Sequence, residues 1–360
     1  GTNAEIFTDQ TPFYGETGGQ VGDVGVIEGD GFLFEVWDTQ RPDENLITHI
    51  GKLKKGTLKV GDTVHLKVER NTRRATEANH SATHLLNAAL HAVLGDHVKQ
   101  AGSLVNPERL RFDFTHFSRI DEHELDRIET LANEYIQANL PVKTSILDKE
   151  QAMKTGAHAV FDEKYADKVR VVQMGKVSAE LCGGTHVTRT GNIGVLKILS
   201  ESAVAAGVRR IEAVTGPEAV KYIKKQDHEL KKAANLLRTG PFEVAERVDK
   251  MMKHQRDLER EIEALKGKLA ARESGDIIKK AKKVGEVKLL AEQVEVSDVK
   301  ALRDFGDKLR DKLGSGVICL GSRVGEKAML LCMVTKDLAG KYNAGEIGRA
   351  SCRERVSVVV

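Results

Sequence analysis

Two short motifs carry the residues of this sequence that are best suited to chemistry. Residues 80–84 read HSATH and residues 182–186 read CGGTH, so each motif places two metal-binding side chains four positions apart. On a helix, such positions lie on one face, about one turn apart. Either pair alone is also explained by two polar histidines on a helix or by a buried cysteine. Together they supply three imidazoles and a thiolate, a donor set typical of zinc. The predicted ligands of one shared zinc ion are His80, His84, Cys182 and His186.

The motifs leave the role of the metal open. Four protein ligands usually close a structural zinc site, whereas a catalytic zinc keeps one position for water or substrate. Ser81 stands where the helix of a zinc metallopeptidase carries the glutamate that acts as general base, which argues against a peptidase. Ester hydrolysis stays open, because zinc can activate water or position a substrate without that glutamate.

Length, charge and cysteine content limit the classes of protein to which this sequence can belong. The chain has 360 residues, enough for two or three domains, and its formal net charge is only +3, so any nucleic-acid surface has to be a local patch. Four cysteines in a chain of this length do not resemble a secreted disulfide framework. Since neither a membrane span nor a signal peptide is recognisable, we expect a cytoplasmic protein without membrane contact. The sequence starts without methionine, so we expect a fragment.

Residues 1–74 are predicted to form a small β-barrel, because short strand-like runs alternate with turns that contain glycine and aspartate. Within this region, a glycine-rich loop at 11–23 contains Gly18, Gly19 and Gln20. Its backbone N–H groups could approach an anion or a ribose. A tight turn between two strands explains the same glycines.

Residues 75–216 show an α+β pattern that contains both metal motifs. A helix is predicted over 75–94 and a second, amphipathic helix over 121–137. Strands are predicted at 98–105, 110–115, 193–199 and 208–214. A metal that joins His80 to His186 would tie the first helix to a late turn, which places the site at the centre of this domain.

Residues 217–283 are predicted to be helical. Within 244–269, apolar residues recur at alternating spacings of four and three, a heptad seam that Gln255 interrupts. We expect an antiparallel hairpin or coiled coil formed by 218–237 and 242–273, although the seam could also close on another chain and cause self-association. Basic residues on these helices could contact RNA phosphates, and a solvated coiled-coil surface explains them at least as well.

The remaining residues are predicted to form a partial domain and a tail. Residues 284–346 have the pattern of a truncated α/β domain, with a helix over 298–313 that stops at Gly314. Residues 347–360 show no amphipathic period. Because this tail resembles the translation of a sequencing-adapter read-through, we expect it to be an artefact that lies outside the fold.

Six motifs together resemble the C-terminal portion of bacterial alanyl-tRNA synthetases, and the resemblance covers residues 1–346. The motifs lie at 11–23, 79–84, 97–105, 111–114, 180–186 and 207–216. The resemblance implies a multidomain α+β protein. Its expected order is a small β-barrel, a zinc-containing editing domain, a long helical linker and a C-terminal domain that helps to hold the tRNA elbow.

The resemblance also implies hydrolytic proofreading. The parent enzyme charges tRNA(Ala) with alanine using ATP, and its editing domain cleaves mischarged Ser-tRNA(Ala) and Gly-tRNA(Ala) at one Zn²⁺ site. Thr83 is then expected to read the amino-acid side chain, and Gln100 to orient the scissile end or a water. Arg209 and Arg210 are expected to face the anionic 3′ end of the tRNA. Local hydrogen bonds and surface charge are the alternative explanations for these four residues.

Some functions of the family are not expected of this chain. ATP and Mg²⁺ are expected only in an aminoacylation domain that the chain lacks, so it should not activate alanine by itself. The main alternative from another class is a non-catalytic tRNA-binding module with a structural zinc. A free-standing editing factor is less compatible with the long helical region. Hydrolysis of the ester would indicate an editing enzyme, whereas tRNA binding without hydrolysis would indicate the non-catalytic module.

Overall fold

The computed structural model describes residues 3–43, 45–148, 151, 168–296, 298–324 and 327–353. It consists of two compact units, residues 1–232 and residues 233–360. Both candidate metal motifs lie in the first unit, so the fold of that unit positions the site.

The first unit opens with an antiparallel sheet of five strands. Their bounds are Asn3–Ile6 (β1), Gly25–Gly29 (β2), Phe32–Asp43 (β3), Leu46–Lys55 (β4) and His65–Val68 (β5). The strands lie in the order β1-β4-β3-β2-β5. Along β3, Phe32, Phe34 and Val36 alternate with more exposed residues and pack with Phe13 and Ile27. Such alternation is typical of a sheet that covers a core with one face.

This sheet does not close into the barrel that the sequence predicts. Among the described residues, β1 pairs with β4 and β5 pairs with β2, and both remain edge strands. Closure requires a ladder of hydrogen bonds between the two end strands, and each of these strands has only four residues. The prediction of a β-barrel is therefore wrong for the described residues, whereas the mixed α+β content is confirmed.

A long helix, α1 (Arg70–Leu94), follows the sheet. Glu69 caps its first turn, because its carboxylate accepts hydrogen bonds from the backbone N–H of Asn71 at 3.1 Å and of Thr72 at 2.6 Å. Glutamate is not among the preferred N-cap residues, so the sequence pattern places the start of this helix at residue 75, too late. The middle of the helix is buried and carries the histidines of the first motif into the interior.

Another helix and two further sheets follow α1 in the described part of the first unit. The bounds are Gln100–Val105 (β6), Leu110–Thr115 (β7), Glu122–Gln137 (α2), Val142–Asp148 (β8), Lys168–Met174 (β9), Ser178–Leu181 (β10), Leu196–Ala205 (β11) and Val208–Thr215 (β12). The sheets are ordered β11-β12-β7-β6 and β10-β9-β8. A capping box of Asp121 and Glu124 starts α2 at the predicted place. Both helices contribute to one core with the strands, which includes Leu85, Phe112 and Ile128.

The remaining elements follow in chain order. They are α3 (Gly216–Leu237), α4 (Val244–Ile278), β13 (Lys282–Val284), β14 (Val287–Gln293), α5 (Val299–Leu313), β15 (Val317–Val324), β16 (Lys327–Val334) and α6 (Ala344–Arg353). The sheet of the second unit is ordered β13-β14-β15-β16, and α5 connects the parallel pair β14 and β15. Asp298 caps α5 through the backbone N–H of Ala301, and Gly314 ends it with a φ of 78°, as predicted.

The segment expected to lie outside the fold is partly helical. Residues 347–353 belong to α6, and residues 354–360 lie outside the described part of the chain. Asn343 supplies the start signal for this helix, because its side chain accepts from the backbone N–H of Gly345 at 2.9 Å. Residues 347–353 are therefore helical although their sequence shows no amphipathic period, and the adapter origin of the segment stays a prediction.

The heptad seam of α4 is exposed. Its apolar members are between 40 and 60% exposed: Val248, Met251, Leu258, Ile262, Leu265 and Leu269. Many basic residues of the helix are paired with acidic residues one turn away, for example Lys250 with Glu246 and Lys253 with Asp249. Among the described residues, α4 therefore presents an exposed apolar stripe beside a surface of balanced charge. None of the described helices combines the length and the apolar character needed to cross a membrane.

Candidate metal centre

Helix α1 presents two histidines of the centre. His80 and His84 lie one turn apart, and their rings are stacked with centroids 5.3 Å apart and planes 13° from parallel. Only 7% of His80 and 6% of His84 is exposed. Two imidazoles are thus held side by side on the buried face of a rigid element.

The second pair lies in the loop that follows β10. Arg170 on β9 shapes this loop, because its Nη1 donates to the carbonyl oxygens of Cys182 and Gly184, both at 2.7 Å. The backbone N–H of Cys182 donates in turn to the carbonyl of Arg170 at 3.0 Å. The close-packed loop directs the side chains of Cys182 and His186 toward α1.

The four side chains meet at one point, as the sequence predicts. The Sγ of Cys182 lies 3.4 Å from Nε2 of His80 and 3.2 Å from Nε2 of His186. One ligand atom from each of these residues and from His84 lies within 4.8 Å of the others. In a tetrahedral zinc site with bonds of about 2.0–2.3 Å, neighbouring ligand atoms lie roughly 3.3–3.8 Å apart. The cluster therefore has the size and the donors of such a site.

Each imidazole is held from outside the cluster through its Nδ1 atom. Nδ1 of His80 donates to the side-chain oxygen of Gln20 at 2.7 Å, and Nδ1 of His84 to Glu180 at 2.7 Å. Nδ1 of His186 lies 3.1 Å from Oγ of Ser81. These outward contacts at Nδ1 leave Nε2 of each histidine facing the centre, where a bound metal would replace the Nε2 proton, and this is the usual arrangement of metal-binding histidines.

One atom of the cluster is left without a partner. Nε2 of His84 is buried, and no described residue forms a hydrogen bond with it. A buried polar atom without a partner costs free energy, and such atoms are rare unless an ion or a water satisfies them. Together with the three-nitrogen, one-sulfur donor set, this atom shows that the residues fit a zinc ion.

Electrostatics prepare the sulfur for metal binding. Burial opposes ionisation of the Cys182 thiol, but hydrogen bonds from His186 and His80 outweigh burial and lower the pKa of Cys182 to about 2. Burial, reinforced by the nearby His80, lowers the pKa of His186 to about 3. At His84, burial acts to lower the pKa, but the Glu180 carboxylate outweighs it and raises the pKa to about 10. These contacts therefore favour the thiolate of Cys182, the form in which cysteine binds metals.

Family models of tRNA synthetases match two parts of this chain. The model of the threonyl and alanyl tRNA synthetase second additional domain matches residues 169–212, which include the second motif. The model of class II (A) tRNA synthetases matches residues 1–72. The alanine–tRNA ligase of Desulfosudis oleivorans is 51% identical over 350 residues, which is 97% of this chain and 40% of that protein. Over nearly its whole length, the chain is therefore similar to an alanine–tRNA ligase.

Other alanine–tRNA ligases show the same extent of similarity. Those of Anaeromyxobacter dehalogenans and Shewanella loihica are 49% identical over 353 residues and 47% identical over 347 residues. These alignments cover 98% and 96% of this chain, but 39% and 40% of the two ligases. The chain thus spans about two fifths of the length of the curated relatives it matches.

In this alanyl-tRNA synthetase homologue, the glycine-rich loop lies along β6. The backbone N–H of Val21 donates to the carbonyl of Val105, and the N–H of Val105 donates to the carbonyl of Gly19. Gly18 and Gly19 have φ angles of 59° and 84°, which favour glycine. The glycines build the turn, and the side chain of Gln20, rather than the backbone, faces the metal centre.

The structure places the two residues expected to contact the substrate beside local hydrogen-bond partners. Thr83 is 5% exposed, and its hydroxyl donates to the carbonyl of Asn79 at 2.9 Å. Gln100 is half-buried at the start of β6, where its Nε2 donates a long 3.4 Å hydrogen bond to Oγ of Ser103. Ser103 also packs against Gly19, so Gln100 lies close to the loop that carries Gln20. Their roles toward a substrate stay predictions.

The two arginines of β12 are both paired with carboxylates. Arg209 forms an ion pair with Glu201, and Arg210 donates two hydrogen bonds of 2.7 Å to Asp113. Because successive residues of a strand point to opposite faces, the pair does not form one cationic surface. A shared role at the 3′ end of a tRNA stays a prediction.

Three residues that support the centre were not predicted from the sequence. Glu180 accepts from His84, Ser81 contacts His186, and Arg170 shapes the cysteine loop. Glu180 had a usable signal, because it is a carboxylate in an otherwise small and apolar strand, two positions before Cys182. Ser81 and Arg170 gave no comparable signal, since their contacts depend on how distant segments pack.

Proposed function

We propose that this chain binds one zinc ion through His80, His84, Cys182 and His186. The observation that carries the proposal is the convergence of these donors around the unpartnered Nε2 of His84. Three imidazoles and a thiolate match the preference of zinc for nitrogen and sulfur ligands, and the outward Nδ1 contacts give the ligands their orientation.

We further propose that the chain is the editing portion of an alanyl-tRNA synthetase and hydrolyses Ser-tRNA(Ala) and Gly-tRNA(Ala). Its similarity to alanine–tRNA ligases and to the second additional domain of threonyl and alanyl tRNA synthetases supports the assignment. The substrate is the ester between the amino acid and the 3′ end of the tRNA. Water cleaves this ester, so the products are the free amino acid and the uncharged tRNA.

Such a site would be needed because serine and glycine are difficult to distinguish from alanine by binding alone. Glycine is smaller than alanine and fits any site that admits alanine, and serine differs from alanine only by a hydroxyl. A hydrophobic pocket separates such neighbours by only about 10–200-fold, so a second hydrolytic site is needed for higher accuracy. A site that hydrogen-bonds the serine hydroxyl rejects alanine, because alanine cannot complete that hydrogen bond.

The chain's own residues would hold and read the substrate. A zinc ion held by the four residues would supply positive charge that could position the ester carbonyl. Thr83 lies between the two histidines of α1, where its oxygen could accept a hydrogen bond from the serine hydroxyl while its proton stays on Asn79. Gln100 could exchange its long contact with Ser103 for a hydrogen bond to the scissile end or to a water.

Deacylation of Ser-tRNA(Ala) tests this function, with Ala-tRNA(Ala) as the control ester. We expect the zinc-loaded wild type to release serine and to leave the alanyl ester intact, and Cys182→Ala to release neither. Since Cys182→Ala could also perturb folding, Gln100→Ala provides a second variant that should keep its zinc and lose most of its turnover. Wild-type protein that holds zinc, binds tRNA and leaves the seryl ester intact would refute hydrolysis.

A non-catalytic tRNA-binding module is the second candidate, and the ligand count favours it. Four protein ligands complete a tetrahedral zinc site without a position for water. For this candidate, zinc removal should abolish folding of the first unit, and the zinc-loaded protein should bind tRNA without turnover. The same deacylation assay therefore separates the two functions.

A further inference from the structure

Gln20 reaches the metal centre from a part of the chain remote in sequence. It lies in the loop before β2, within the residues 1–72 that match the class II synthetase model, whereas the ligands begin at His80. Its side chain is completely buried, with 0% exposure. A buried amide has to be matched by hydrogen-bond partners, so its contacts indicate what it does.

The amide of Gln20 connects the two halves of the ligand set. Its oxygen accepts from Nδ1 of His80 at 2.7 Å and from the backbone N–H of Thr185 at 2.9 Å. Its nitrogen donates to Oγ1 of Thr185 at 2.9 Å. One side chain thus fixes the ring of a ligand on α1 and the loop that carries the other two ligands.

The loop that carries Gln20 is anchored on both sides. On one side, its backbone hydrogen bonds to β6, through Val21 and Val105. On the other, the carboxylate of Asp23 accepts from the backbone N–H of Tyr14 and from the guanidinium of Arg73 at 2.8 Å. Arg73 and His80 lie on the same helix, seven residues or about two turns apart, so α1 holds the loop at Arg73 and receives its glutamine at His80.

We propose that Gln20 is a positioning residue for the metal centre, so that metal affinity depends on the loop of the first sheet. The amide orients Nε2 of His80 toward the shared point and keeps the 182–186 loop at the distance that the ion requires. The proposal rests on zinc binding at this site and is independent of ester hydrolysis. Loss of such an outer partner of a metal ligand typically weakens metal binding 10–100-fold.

Three variants separate positioning from packing. Gln20→Leu keeps the approximate volume and removes all three hydrogen bonds. Gln20→Glu keeps an oxygen that can accept from His80 and from the Thr185 N–H, and the Thr185 hydroxyl can turn to donate to it. Gln40→Leu is the matched control, because Gln40 is a half-buried glutamine on β3 whose amide contacts Glu16 and Asp38.

The measurement is zinc affinity of the full chain, determined by competition with a chromogenic chelator. The absorption spectrum of the Co²⁺-substituted protein gives a second readout of ligand geometry. We expect Gln20→Leu to bind zinc about 10–100-fold more weakly and to change the Co²⁺ spectrum. Gln20→Glu and Gln40→Leu should stay within about threefold of the wild type, and fluorescence of Trp37 should show that the first sheet is folded in every variant.

The outcomes distinguish this proposal from the zinc proposal itself. Wild type that cannot compete with the chelator would overturn the zinc site. Wild type that binds tightly, with Gln20→Leu equally tight and an unchanged Co²⁺ spectrum, would overturn only the role of Gln20. A Gln20→Glu protein as weak as Gln20→Leu would likewise contradict positioning through the shared acceptor oxygen.

Discussion

At the scale of single residues, Gly184 shows how tightly the centre is built. A Cβ at this position would lie 2.0 Å from Cε1 of His80 and 2.8 Å from the side-chain oxygen of Gln20. Both atoms belong to groups that are held by other contacts, so they cannot move aside freely. A side chain at 184 must therefore displace either His80 or Gln20.

Gly184→Ala should weaken zinc binding at least about tenfold, because the added methyl group pushes His80 from its position. Gly183→Ala is the matched control, since a Cβ at 183 meets nothing within 4 Å. Chelator competition on both proteins measures the difference. Equal affinities for the two variants would contradict the packing described here.

The carboxylate of Glu180 is expected to support His84 in the same way as Gln20 supports His80. Glu180 is 4% exposed, and besides His84 it accepts from Asn87 and Ser178, both at 3.2 Å. Glu180→Ala should lower zinc affinity about 10–100-fold, whereas Ser178→Ala removes only one of its donors and should change affinity less than about threefold. Zinc content after dialysis against a graded chelator series would show whether the two variants differ.

The four residues of the cluster could be predicted from the sequence, but most of the residues that hold them in place could not. The i,i+4 spacing of His80 and His84 is a local property that any helix converts into proximity. The contacts of Gln20 and Glu180 join positions 60 and 96 residues apart. Such contacts depend on how the sheets pack around α1, which no local pattern encodes.

At the scale of elements, predictions that rest on local sequence patterns succeeded, and predictions that depend on contacts between distant segments failed. The strand β7 and the helix α2 agree with the prediction, because alternation and a capping box are local signals. The barrel was wrong because closure depends on whether two distant end strands meet. The predicted start of α1 was too late and α6 was not predicted, both for one reason. Their first turns are capped by the side chains of Glu69 and Asn343, and a search for hydrophobic periodicity does not detect such caps.

A buried histidine makes the stability of the first sheet depend on pH. His49 on β4 is fully buried, and its ring bridges the carbonyl of Ile6 at 2.9 Å and the hydroxyl of Thr11 at 2.7 Å. Burial lowers the pKa of His49, against a smaller opposite effect of the Ile6 carbonyl. The unfolded chain therefore binds a proton at higher pH than the folded chain does.

Stability of this sheet should fall as the pH falls below about 6.5, the ordinary pKa of histidine, because protonation then favours the unfolded state. The free energy of unfolding can be measured by urea titration, with the fluorescence of Trp37 as the signal. Trp37 lies on β3 and is the single tryptophan of the chain. His49→Gln should show a smaller loss of unfolding free energy between about pH 7.5 and pH 5.5 than the wild type. An identical pH dependence in both proteins would exclude His49 as the source.

At the scale of the whole molecule, the apolar seam of α4 stays exposed in the part of the chain that the structure describes. The helix has 35 residues and is therefore about 52 Å long. Apolar residues that recur at heptad spacing along such a length are typical of a surface that pairs with another helix. The polar Gln255 within the seam is the kind of residue that selects one register of pairing.

We expect this seam to pair between two copies of the chain. Sedimentation equilibrium of the wild type should give a dimer, and Ile262→Glu should weaken association at least about tenfold, because it buries a carboxylate in an apolar seam. Ala264→Glu is the control, since it introduces the same group on the opposite, solvated side of the helix. Because the seam lies in the second unit and the metal centre in the first, Ile262→Glu should leave zinc affinity unchanged. A wild type that stays monomeric at the highest attainable concentration would contradict pairing between copies and leave the seam to another part of a longer protein.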